Sequence, residues 1–132
     1  RVIMPGVEVV EGDAFRCCVN LIDVECGKLE IIKVQAFGRC ESLRSINLPS
    51  AKIVEEGVFW GCEALTDVKF GSKLERIKEG AFVNCPFLER ITIPLKDGIV
   101  ADDDIFRACD NLKHVDLVEG ALHETIAALQ LE

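Results

Sequence analysis

In LERITIP, residues 88–94, apolar side chains fall at the first, fourth and sixth places, and the later ones alternate with polar neighbours as a half-buried strand requires. The same pattern returns in LRSINLP (43–49), LTDVKFG (65–71) and LKHVDLV (112–118). The alternation points Ile46, Leu48, Val68, Phe70, Ile91, Ile93, Val115 and Leu117 inward, and Asn47, Lys69, Thr92 and Asp116 outward. Each run stops at Pro49, Gly71 or Pro94, with Pro5 and Gly27 in the same frame earlier; these residues withhold a ladder donor or permit a turn, so each marks a corner. A second, shorter apolar alternation follows each corner, as in LEII (29–32), AKIV (51–54) and LERI (74–77), and predicts a return strand.

Between the return strand and the next main strand stands a phenylalanine with a cysteine three residues later. Phe15, Phe37, Phe59, Phe82 and Phe106 step by 22, 22, 23 and 24 residues, and Cys18, Cys40, Cys62, Cys85 and Cys109 step with them. A catalytic constellation occurs once, so evenly spaced copies predict an array of one supersecondary unit. A single unit cannot bury its own apolar edge, because its inward side chains form a strip one strand wide; stacking the units solves this. The phenylalanines are then expected to pile into a continuous ladder between the two sides.

The run A-F-x-x-C-x-x-L-x-x-I-x-[IL]-P, nearly complete in residues 36–49 and 81–94, resembles the BspA-type leucine-rich repeat, over about residues 7 to 117. The resemblance implies a mostly β member of the α/β-type repeats: a curved, right-handed solenoid with a parallel sheet on its concave face and short strands or turns on the other. It also implies a class made up mainly of surface-associated or secreted adhesion proteins, with intracellular relatives. The first copy departs from the pattern, with Cys26 where the strand normally carries Leu or Ile and no proline after it. The fifth has Ile105 for the alanine, Val118 for the proline, and Gly98 and Ala101 in its return segment. Terminal units of solenoids commonly drift in this way.

The ends read differently from the middle. RVIMPG, residues 1–6, looks like the tail of a preceding strand and its corner, which predicts a longer array upstream and an uncovered sheet edge here. In EGALHETIAALQLE the period changes: Leu122, Ile126 and Leu129 recur at helical spacing with no glycine or proline after Gly120. The expected division is therefore a solenoid over 1–117, comprising a repeat tail and five repeats, and a capping helix over 118–132 that shields the last core layer from water.

Charge narrows the partners. With 15 Lys and Arg against 23 Asp and Glu, the net charge is −8, so no excess of cations exists to displace counterions from a phosphate backbone, and nucleic acid is not an expected partner. No apolar run approaches the roughly 20 residues of a membrane helix, and Arg1 does not open a charged-then-apolar leader, so membrane insertion is not expected either. The cysteines number seven, one per repeat plus Cys17 and Cys26. Repeated burial explains that placement better than pairing: equivalent residues in a parallel stack lie about 5 Å apart, but their side chains point the same way. A reduced, buried row tilts toward a reducing compartment, against a resemblance that allows the cell surface. No zinc spacing, glycine-rich phosphate loop or other cofactor motif occurs.

Candidate binding residues come from the outward positions of the main sheet: Asp23, Glu25, Arg44, Asn47, Asp67, Lys69, Glu89, Arg90, Thr92, Lys113, His114 and Asp116, with Ser45 and Thr66 among them. Charges of both signs are interspersed, and long polar side chains in rows on an extended face suit a protein or peptide ligand. Trp60, the only tryptophan, occupies a frame filled elsewhere by Arg16, Gly38, Val83 and Arg107, which predicts a rim position suited to contact. Asp102, Asp103 and Asp104 lack the alternating spacing and glycine of a calcium loop. His114 and His123 are the only histidines; His114 and Asp116 share a strand face, but nothing supplies Ser45 or a cysteine near His114 with an orienting acid and an oxyanion site, so no enzyme is expected. The expected function is a scaffold that binds an unidentified protein or peptide. The other readings are a structural or self-assembling spacer of a larger cell-surface or multidomain protein, joined end to end through the open amino-terminal layer, and an accessory segment of a larger catalytic chain.

Overall fold

The computed structural model describes residues 1–100 and 104–118. The described strands are β1 (Val2–Ile3), β2 (Val9–Val10), β3 (Val24–Glu25), β4 (Ile31–Ile32), β5 (Ser45–Leu48), β6 (Ile53–Val54), β7 (Asp67–Phe70), β8 (Arg76–Ile77), β9 (Arg90–Pro94) and β10 (His114–Val118). They alternate between two parallel stacks, as the two alternations in the sequence require. The main stack runs β5-β7-β9-β10, with Ile46 opposite Val68, Val68 opposite Ile91, and Ile91 opposite Val115. The return stack runs β2-β4-β6-β8 and continues as a bridge from Ile77 to Val100.

Both stacks pour their inward side chains into one core. Ile46, Leu48, Val68, Phe70, Ile91 and Ile93 are buried from the main side, and Ile32, Val54, Ile77 and Ile99 from the return side. Between them the phenylalanines form the expected ladder, with neighbouring ring centroids 5.3, 5.6, 5.1 and 5.6 Å apart and planes within 16° of parallel. Phe37, Phe59 and Phe82 are wholly buried; Phe15 and Phe106, at the two ends, are half-buried. Phe70 meets the Phe82 ring edge-on at 6.4 Å, which keys the main sheet to the ladder.

The cysteine row is bonded into the same ladder. Cys40 donates its thiol to the Phe15 carbonyl, Cys62 to Phe37, Cys85 to Phe59 and Cys109 to Phe82, at 2.9 to 3.2 Å, so each thiol ties its coil to the one before. The phenylalanine amides point the other way: Phe15, Phe37, Phe59 and Phe82 donate to Ala36, Val58, Ala81 and Ile105 of the following coil. Burial pushes the Cys26 and Cys40 thiols from the ordinary 9.0 up to about 11, and Cys62 higher still. Cys85 is also held protonated, by the neighbouring Cys109 sulfur and then by burial. Such thiols pack; they are not nucleophiles.

Two positions per coil take left-handed backbone. One precedes the phenylalanine by two residues (Asp13, Gln35, Gly57, Gly80) and one follows it by two (Cys17, Arg39, Gly61, Asn84, Ala108), all with φ between 53° and 73°. Together they bend the chain around each ring. Glycine suits only some of them, and the others carry the cost of a side chain there.

Three expectations need correction. The main face is not one continuous sheet: β1 and β3 form a separate two-stranded piece, and no described backbone hydrogen bond joins β3 to β5. The break falls beside Cys26, which follows the two-residue β3 and whose sulfur lies 3.9 Å from the Asn47 carbonyl. Val115 and Leu117 keep the inward register of Ile91 and Ile93 but are each 51% exposed, since among the described residues β10 has a neighbour on one side only. Finally, β10 runs on through Val118, the first residue assigned to the cap. The described residues contain no α-helix, and the helix expected over 118–132 otherwise lies outside them.

Candidate protein-binding face

Parallel in-register pairing arranges the outward side chains of the main sheet in straight rows across coils. One row reads Ser45, Asp67, Arg90, His114, and the next Asn47, Lys69, Thr92, Asp116. A third row lies just before the strands, where Thr66 bonds to the Arg44 carbonyl, Glu89 to Thr66 and Lys113 to Glu89 through their backbones. All of these are exposed except Asp67 and Thr92, which are half-buried. On the separate amino-terminal piece, Asp23 and Glu25 are exposed as expected.

The structure decides which charges meet. Arg90 Nε lies 3.4 Å from Asp116 Oδ2 on the next strand, so Asp116 is partnered diagonally across the sheet rather than with His114 two residues before it. Arg1 forms ion pairs with both Asp23 and Glu25. Lys69, Arg44, Glu89 and Lys113 make no ion pair among the described residues. They remain available for an external partner.

Depressions on this face include two that border β5. A groove of about 420 Å³ follows the break between β3 and β5 and is lined by Asp23, Glu25, Ser45 and Asn47, with Arg1 at its edge. A smaller one of about 220 Å³ lies between Ser45, Asn47, Asp67 and Lys69. Ser45 and Asn47 therefore separate two hollows. Asp67 Oδ1 is enclosed and has no hydrogen-bond partner. A buried carboxylate oxygen without a donor is costly.

Trp60 is not on this face. It sits half-buried on the flank built from the turns after each phenylalanine, with the Arg39 guanidinium 4.8 Å from its ring centroid. The rim expectation is met, but the partner Arg39 went unread in the sequence, because the frame that carries it holds Cys17, Gly61, Asn84 and Ala108 elsewhere. The role of Arg1 is not legible in the sequence either, since it depends on the pairing of β1 with β3. Among the described residues no group of three His, Cys, Asp or Glu could hold a metal ion, and no helix is long and apolar enough to cross a membrane.

The model of the BspA type leucine-rich repeat region matches residues 8–125 in 6 copies. The chain belongs to that family. Its fold is similar to a leucine-rich cell surface protein of Faecalibacterium prausnitzii, with 28% identity, a TM-score of 0.80, and coverage of 96% of this chain and 34% of that one. It is similar as well to a leucine-rich repeat protein of Bacteroides ovatus, with 26% identity, a TM-score of 0.73, and coverage of 86% and 29%. This BspA-type chain thus spans about a third of the length of either solved relative. No curated protein matches it.

Proposed function

We propose that this BspA-type array binds a partner protein or peptide on the outward, concave face of its main sheet, and that it is a scaffold rather than an enzyme. The observation that carries the reading is the set of straight rows of exposed polar side chains, in which Arg44, Lys69, Glu89 and Lys113 make no ion pair among the described residues. A peptide seated in the hollow beside Lys69 would meet these rows coil by coil. The test is a charge-reversed variant with Arg44, Lys69, Arg90 and Lys113 all changed to Glu, applied to proteins cross-linked to the intact parent. Loss of the cross-linked partner with retained circular dichroism supports the face; unchanged cross-linking assigns binding elsewhere.

A second reading is an end-to-end spacer, joined through the apolar side chains exposed on the outer strands among the described residues, Ile3 at 59% and Val115 and Leu117 at 51%. Concentration-dependent size in solution that vanishes when upstream repeats are added would support it. Compartment is open to both readings. One solved relative is a cell surface protein. The thiol row argues less for an intracellular site than its reduced state suggests, because Cys40, Cys62 and Cys85 are fully buried and burial itself shields them from oxidants.

A further inference from the structure

A groove of about 420 Å³ runs along the turn flank, away from the main sheet, from Gln35 across Gly57 to Glu79 and Asp104, with Trp60 in its wall. Gly57 has φ 64° and no side chain, and a Cβ there would stand 3.1 Å from Gln35 Cγ, so glycine leaves the space in which the Gln35 side chain lies. Gln35 Oε1 is enclosed and without a hydrogen-bond partner. Glu56 is paired with Lys78 at 3.9 Å, while Glu79 and Asp104 have no ion-pair partner among the described residues.

The middle of the groove therefore offers acceptors and an aromatic ring. Its two guanidinium groups, Arg16 and Arg107, stand at opposite ends, Arg107 in the same coil as Asp104. Each is two coils from Trp60, about 10 Å at ordinary strand spacing, which is about one screening length in physiological salt. We propose that this groove is a second binding site, taking an arginine side chain of a partner peptide between Trp60 and the Glu79 and Asp104 carboxylates. Arginine fits better than lysine because its planar fork can lie against a ring while donating to several acceptors at once. The protein shows that geometry itself, with Arg39 over the Trp60 ring from the neighbouring groove.

Trp60 is the only tryptophan and there is no tyrosine, so intrinsic fluorescence reports on this site directly. Titration of the whole chain with N-acetyl-Gly-Arg-Gly-amide should give a saturable change in the low millimolar range, mirrored in the indole N–H resonance. The Glu79→Gln, Asp104→Asn double variant should bind roughly tenfold more weakly, as expected for loss of two charge-assisted bonds. Both side chains are surface groups replaced by isosteres, and circular dichroism verifies the fold. Lys69→Glu, on the main sheet, should leave the response unchanged, which separates this site from the proposed concave face. The proposal is overturned if neither signal saturates, if the glutamine or lysine peptide responds as strongly, if the double variant binds undiminished, or if maltose saturates the site and the arginine peptide does not.

Discussion

Cys62 donates its thiol to the carbonyl of Phe37, one coil earlier, at 3.2 Å, and three other cysteines repeat that bond along the array. The row is thus a set of rivets between coils. Cys62→Ala removes the bond and leaves a small void, and should lower the unfolding free energy by about 1–2 kcal/mol in urea titration. An unchanged midpoint would show that the thiols contribute nothing beyond volume.

The aromatic ladder predicts a graded series. Phe59→Ala deletes a fully buried ring stacked on both sides and should cost about 3–5 kcal/mol. Phe15→Ala removes a half-buried end ring stacked on one side and should cost clearly less. Equal losses in denaturant midpoints would contradict a ladder with distinct ends.

Left-handed backbone gives two changes of opposite sign. Ala108 has φ 60° with no role for its methyl group beyond the fold, so Ala108→Gly should stabilise by about 1 kcal/mol. Gly57→Ala forces a side chain into φ 64° and against Gln35 Cγ, and should destabilise by about 1–2 kcal/mol. Thermal melts of the two variants should therefore move in opposite directions from the parent.

The buried thiols also set an alkaline limit. Folded Cys26 and Cys40 titrate at about 11 against 9.0 for the ordinary thiol, so the folded state holds these protons more tightly than the unfolded one. Their contribution is fully present below pH 9 and is lost progressively as pH rises toward 11 and the unfolded chain ionises first. Unfolding free energy should fall across that window, and less so in a Cys26→Ala, Cys40→Ala variant measured over the same range.

Much of this was legible in the chain itself. The coil period, the inward and outward positions of β5, β7 and β9, the corners at Pro49 and Gly71, and the Phe and Cys rows all follow from spacing. Side-chain facing alternates strictly along a strand, and a constant period brings equivalent residues over one another, so a local pattern repeated is already a three-dimensional arrangement. The same logic failed at the margins of the array: β3 does not pair with β5, and Val115 and Leu117 have the right register without a covering layer among the described residues.

Tertiary structure alone decided the electrostatic partners and the hollows. Arg90 reaches Asp116 rather than leaving it to His114, Arg1 takes both Asp23 and Glu25, and Arg39 covers one side of Trp60. These contacts join residues 21 to 26 positions apart, and which of several equivalent neighbours is chosen depends on side-chain reach and on where the sheet parts. The sequence by itself determined the coil and its buried spine because both rest on a period. Only the stacked structure determined the surface, because there each partner is selected by distances between coils that no single coil encodes.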